Sequence, residues 1–164
     1  GSNKVVELID VNDGMADGGA GRAVLAIPNA HNRAVHCIAL GSTAANGDDS
    51  VFLTAATDGA LKLWDVRDPS MDRGQCVQMW TAHTNRVHPI GAALSACGRF
   101  AACGSEDKLA YVYDLRRSDG AGGKEALWKL RGHTDAVLGV AFNPMHPQLA
   151  TVGADAKVLF FCDG

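Results

Sequence analysis

Three histidines, His31, His83 and His133, are each followed along the chain by an aspartate: Asp58, Asp107 and Asp155. A histidine oriented by a carboxylate and set beside a hydroxyl is the arrangement that moves protons in triad hydrolases. The chain offers that arrangement once per repeat, whereas catalysis needs one site, and it contains no G-x-S-x-G nucleophile elbow. A buried carboxylate and imidazole must satisfy each other or cost about 1–3 kcal/mol apiece. The recurring pairs are therefore read as structural, with no catalytic residue.

Other chemistry-bearing patterns weaken on inspection. Gly120-Ala121-Gly122-Gly123-Lys124 mimics a phosphate loop, but Ser118 stands where the first glycine belongs, Glu125 follows the lysine and no helix is expected after it. His83 with His88, or His133 with His146, lack clustered cysteine or carboxylate ligands, so neither a metal nor a cofactor is expected. His36, His88 and His146 are read as loop or strand-face residues.

The elements that position these residues repeat. Asp58-Gly59-Ala60-Leu61-Lys62-Leu63-Trp64-Asp65 returns at 107–114 and again at 155–162. The histidines are 52 and 50 residues apart, and Trp64, Tyr113 and Phe161 follow at 49 and 48. A fixed period of this kind sets the architecture. Each unit resolves into four short apolar runs between turn residues, the pattern of an antiparallel all-β repeat. The first runs are 23–27, 75–80 and 125–130; the second are 34–40, 87–94 and 136–142. The third are 50–56, 99–104 and 148–152, and the fourth are 60–66, 108–114 and 156–162. Trp80 and Trp128 fall in the outermost runs, where an aromatic covers a sheet edge.

Bulk properties narrow the function classes. The chain has 164 residues, 47% hydrophobic and 20% charged, with net charge -3 and no long basic run. A nucleic-acid or anionic-membrane surface is not indicated. No apolar run approaches the roughly 18 residues of a membrane span, and no signal peptide is read at the start. Gly1-Ser2 reads as the remnant of a cleaved tag. Five scattered cysteines without a C-x-x-C pair favour a reducing, intracellular compartment, cytoplasmic or nuclear.

At this point the chain resembles the WD-repeat β-propeller family over about 23–163. The carriers are Gly132-His133, the weaker forms Ala30-His31 and Ala82-His83, the Trp64-Asp65 pair and its degraded copy Tyr113-Asp114. The resemblance implies four-stranded antiparallel blades, with three repeats at 23–66, 75–114 and 125–163. Residues 1–22 would supply the third strand of a preceding blade, over 4–11, and a flexible loop. It also implies a buried chain linking the loop histidine, a strand hydroxyl, the turn aspartate and the tryptophan. The first repeat matches at His31, Thr54, Asp58 and Trp64. The second offers His83, Asp107 and Tyr113, with Cys103 where the hydroxyl is expected. The third offers His133, Thr151, Asp155 and Phe161, whose ring has no donor.

The repeats exceed the usual period of about 40–45 residues. The surplus falls at 12–22, 41–49, 67–74 and 116–124, on the face opposite the histidines, as flexible solvated loops; 12–22 is expected to be disordered. The histidine-side loops are short and carry Asn32, Arg33, Thr57, Asn85, Arg86, Glu106, Thr134 and Asp135. In the family that face often binds peptides, so these residues are the expected partner-binding face. The implied function is a non-catalytic protein-interaction scaffold with protein or peptide partners. The alternatives are a fragment of a propeller enzyme and a subunit of an RNA-associated complex. Closed propellers take typically 4–8 blades, and three repeats do not close a ring. The expectation is a two-chain, six-bladed ring in which the strand at 23–27 of one copy pairs with that at 156–162 of the other.

Overall fold

In a computed structural model of the chain, residues 4–10, 22–41, 50–68, 75–117 and 125–162 are described. The segments expected to hold the surplus length, the expected disorder at 12–22 and the Gly120–Lys124 motif lie largely or wholly outside these residues.

Thirteen strands form among the described residues. Strands β1 (Val6–Asp10) and β2 (Arg22–Ile27) make a two-stranded antiparallel sheet. Strands β3 (Val35–Leu40), β4 (Val51–Ala56), β5 (Leu61–Asp65) and β6 (Gln78–Trp80) make a four-stranded sheet in sequence order. Strands β7 (Ala92–Leu94), β8 (Phe100–Cys103), β9 (Ala110–Asp114) and β10 (Trp128–Leu130) make another. The last sheet has three strands, β11 (Val137–Phe142), β12 (Gln148–Gly153) and β13 (Val158–Cys162). Every pairing is antiparallel, and the fold is all-β with no closed ring.

The middle strands carry apolar residues in near-continuous runs because sheets pack on both of their faces. Phe52 and Trp64 pack with Val6 and Ile27 of the first sheet and with Ala30 in the loop after it. Leu53, Leu61, Leu63 and Trp80 meet Cys103, Tyr111 and Tyr113 of the next. Ala102 and Val112 meet Leu149, with Leu130, Val140 and Phe142 around them. The β4–β5, β8–β9 and β12–β13 turns place a residue in the left-handed region: Gly59 at φ 77°, Lys108 at 73° and Ala156 at 60°. Backbone bonds also tie two sheets together. The Gly91 N–H donates to the Leu138 carbonyl at 2.7 Å and the Val137 N–H to the Ser105 carbonyl at 2.9 Å.

Three strands are shorter than the apolar runs suggest. The run at 87–94 pairs only over Ala92–Leu94. Its first donors are already engaged: the N–H groups of Arg86, Val87 and His88 donate to one Glu106 oxygen at 2.9, 2.6 and 2.9 Å. The runs at 75–80 and 125–130 pair only over Gln78–Trp80 and Trp128–Leu130. Each has a partner on one side alone among the described residues, and the ladder stops at Leu63 and Val112, short of the ends of β5 and β9. Trp80 is buried on Tyr113, with centroids 5.3 Å apart, whereas Trp128 lies half-exposed over Phe100.

Candidate functional site

The loops entering β3, β7 and β11 lie at the same end of the sheets as the turns that precede β5, β9 and β13. In each, a loop N–H donates to a carboxylate of the turn: Asn32 to Asp58, Arg86 to Glu106, and Thr134 to Asp155. This end is the short-loop face.

Beneath it, the first repeat brings four residues together. His31 Nδ1 lies 3.1 Å from Asp58 Oδ2, and His31 Nε2 lies 2.7 Å from Thr54 Oγ1. The Trp64 indole N–H donates to the same Thr54 oxygen at 2.8 Å. The roles interlock: the indole donates to the hydroxyl, the hydroxyl to Nε2, and Nδ1–H to the carboxylate. His31, Thr54 and Trp64 are all buried. Burial pushes the Asp58 carboxyl up, but His31 and the N–H groups of Asn32 and Ala60 outweigh it and hold it at about 2. The third repeat repeats the lower part: His133 Nδ1 to Asp155 at 2.9 Å and Nε2 to Thr151 at 2.8 Å. The Thr134 N–H, with His133, holds the Asp155 carboxyl well below the usual carboxylate range. Phe161 offers no donor to Thr151.

The middle repeat is wired differently from expectation. His83 Nδ1 meets the Tyr113 hydroxyl at 3.1 Å, and Asp107 accepts from the Tyr111 hydroxyl at 2.5 Å. Asp107 is thus drawn away from His83. The missing link is the strand hydroxyl: Cys103 cannot bridge a histidine to an indole, and its thiol faces Tyr113 instead. Tyr111 was not among the sequence candidates. Its signal was available, as a second phenol two residues before Tyr113 and on the same strand face. His83 Nε2 has no partner. Burial pushes the His83 imidazole down, to about 4, despite the upward pull of Asp107 and Asp58.

A triad-like relay needs a hydroxyl that a substrate can reach. Thr54 and Thr151 are 0% and 1% exposed, and both hydroxyls are engaged. What the arrangement does is fix loops. Among the described residues, no cluster of three or more His, Cys, Asp or Glu side chains is placed to hold a metal ion.

The expected partner-binding residues divide. Asn32, Arg33, Arg86, Thr134 and Asp135 are exposed, and Thr57 is half-buried. Asn85 does not belong to the surface: it is 1% exposed and its Nδ2 meets His36 Nε2 at 2.9 Å. The sheet-to-sheet seam covers it, so it is a packing residue. Glu106 faces the backbone of the loop before β7 through the three N–H bonds given above. Burial raises its carboxyl, and the N–H groups of His88, Val87 and Arg86 bring it down to about 2.

Comparisons with known proteins agree with this geometry. Residues 23–65, 74–114 and 124–161 match the family described as WD domain, G-beta repeat. The chain is 31% identical over 119 residues to WD repeat-containing protein 26 homolog of Drosophila melanogaster, covering 69% of this chain and 16% of that protein. It is 30% identical over 178 residues to Methylosome protein WDR77 of Xenopus laevis, covering 84% of this chain and 50% of the other. A solved structure, titled Crystal Structure of Mitotic Checkpoint Complex, has a chain that superposes with a TM-score of 0.74 at 22% identity, covering 98% of this chain and 42% of that one. The chain spans half or less of the length of each of these proteins. Three matched repeats, the four-stranded sheets and the buried histidine networks lead to one conclusion: the chain belongs to the WD domain, G-beta repeat family.

Proposed function

We propose that the chain is a non-catalytic protein-interaction scaffold, part of a WD-repeat β-propeller that presents its short-loop face to protein or peptide partners. One observation carries this reading. The loops at Asn32-Arg33 and Thr134-Asp135 are held from below by buried His–Asp pairs, and the Arg86 loop by Glu106, so exposed side chains stand on fixed backbone. A prearranged surface of that kind loses little order on binding. Charge reversal at Arg33 and Arg86 is expected to abolish partner capture by the full chain and leave its melting temperature unchanged. Retained capture would move the contact to the opposite face.

The networked hydroxyls support reading the chain as no enzyme. The five unpaired cysteines support a reducing intracellular setting, cytoplasmic or nuclear. Residues 1–22 are read with a preceding blade and 23–66, 75–114 and 125–163 as the repeats. The run 97–104 and Asn143-Pro144 resemble the C-terminal blades of WD repeat-containing protein 27, which supports a likeness to that protein.

Self-association is part of the same reading. Leu40 is 77% and Ile38 54% exposed on β3, and Phe160 is 71% exposed beside Val158 on β13. The β13 edge has no partner among the described residues. Two copies meeting twice about a two-fold axis would cover both ends in a six-bladed ring. Strand β2 already pairs with β1, so β1 is released or remains as an added edge strand. Light scattering on a sizing column should return twice the 17.1 kDa chain mass; a lone 17.1 kDa species across a wide concentration range rules the ring out.

A further inference from the structure

We infer that the partner of the short-loop face is an acidic peptide segment; this rests on the scaffold reading above.

The face carries acids and bases, but the two are used differently. Four of its five acids are engaged by neighbouring donors, and the fifth, Asp135, is exposed and accepts from the Ala136 N–H. Asp58 and Asp155 each accept from a histidine and from loop N–H groups, Asp107 accepts from Tyr111, and Glu106 takes three backbone donors. Carboxylate oxygens engaged in this way are poor partners for incoming cations. The bases turn outward. Arg33, Arg86, Lys108, Arg131 and Lys157 are all exposed. Among the described residues none of the five is in an ion pair.

Their placement follows from the topology. Arg33 lies in the loop before β3, Arg86 in the loop before β7, and Arg131 between β10 and His133. Lys108 and Lys157 lie in the turns before β9 and β13. Both kinds of segment belong to the short-loop face. A chain whose net charge is -3 therefore displays unpaired positive charge on one face.

An apolar element accompanies the charge. Val87 is 75% exposed, on the segment that Glu106 fixes by its backbone. A rigid aliphatic knob among guanidinium and ammonium groups suits a peptide that carries both carboxylates and apolar side chains. It suits nucleic acid less. Single strands are held by stacking on aromatic rings, and the exposed aromatic residues Trp128 and Phe160 lie in β10 and β13, not in these loops and turns.

Fluorescence anisotropy with the full chain tests this. The probes are a labelled 12-residue peptide alternating glutamate and leucine, its lysine-for-glutamate counterpart, and a 12-nucleotide oligouridine RNA. The glutamate peptide is expected to bind, and the lysine peptide and the RNA to bind at least ten-fold more weakly. Because Debye screening shortens with salt, affinity should fall by roughly ten-fold between about 50 and 300 mM NaCl. The Arg86→Glu, Lys108→Asn, Arg131→Glu variant should lose roughly ten-fold or more at an unchanged melting temperature. Asparagine tolerates the left-handed backbone at Lys108. Equal binding of both peptides, tighter binding of the RNA, an indifferent variant, or no binding overturns the inference. A photo-crosslinking benzoylphenylalanine at Asn32 separates two failures. Protein crosslinks in cell extract without glutamate-peptide binding overturn the acidic partner alone; neither signal overturns the scaffold reading with it.

Discussion

His83 Nδ1 lies 3.1 Å from the Tyr113 hydroxyl, so in the middle repeat the loop histidine binds the strand aromatic directly and bypasses the turn aspartate. Tyr113 is fully buried, whereas Asp107, the partner of Tyr111, is exposed. Removing the Tyr113 hydroxyl leaves a buried imidazole with both nitrogens unpaired, a loss of about 1–3 kcal/mol. Removing the Tyr111 hydroxyl leaves a carboxylate that water can solvate. Tyr113→Phe is therefore expected to lower the urea midpoint more than Tyr111→Phe. Equal midpoints would mean that the His83–Tyr113 bond contributes nothing.

Trp64 and Phe161 occupy corresponding positions with unequal duties. Trp64 is fully buried, packs with Phe52 and donates to Thr54; Phe161 is half-buried and donates nothing. Trp64→Ala should cost about 3–5 kcal/mol from the large-to-small change, and more because the Thr54 hydroxyl loses the indole donor while keeping His31. Phe161→Ala should cost distinctly less. Chemical denaturation of both variants decides the order, and a reversed order would refute it.

Acid should weaken the fold in two stages. The folded His83 imidazole titrates at about 4, below its ordinary 6.5, because burial disfavours its charged form. The unfolded chain takes up that proton first as pH falls. The stabilisation is fully present above about 6.5, is lost between 6.5 and 4, and amounts to roughly 3 kcal/mol. Below about 4 a second loss begins, as the Asp58 and Glu106 carboxyls, held at about 2, take up protons in the unfolded chain first. Denaturation midpoints measured at pH 7, 5 and 3 should decline at each step, and His83→Gln should flatten the first. An equal first decline in the variant would place its cause elsewhere.

Gly153 has no room for a side chain. A Cβ there would sit 2.5 Å from His133 Nδ1 and 2.6 Å from Asp155 Oδ1. Gly153→Ala should part the pair, lower the melting temperature and erase the hydrogen-bonded His133 ring N–H from the proton NMR spectrum. Persistence of that resonance would contradict the predicted clash.

Strand positions were legible in the sequence where turn residues bracket apolar runs, as at Val51–Ala56 and Leu61–Asp65. They were less legible where a side chain from another segment claims the backbone. Glu106, far along the chain, decides that 86–88 stay out of the ladder, and nothing near Val87 announces it. Side-chain wiring followed the repeat where residue types repeat, at His31, Thr54 and Asp58. It diverged where Cys103 replaces a hydroxyl, because a thiol bonds weakly and two tyrosines compete for the donors and acceptors around it. Asn85 looked like a loop residue from its neighbours Thr84 and Arg86. Its burial depends on His36 in another sheet, a tertiary fact that local pattern does not carry.

The backbone bonds from Gly91 to Leu138 and from Val137 to Ser105 set how the molecule comes apart. Blades joined only by side chains can slide or peel singly. These two share amide bonds near the inner strands, so opening one exposes unsatisfied peptide groups in the other. They should act as one mechanical unit, with amides of both exchanging at a common rate, while the β1–β2 pair at the other end of the stack frays first.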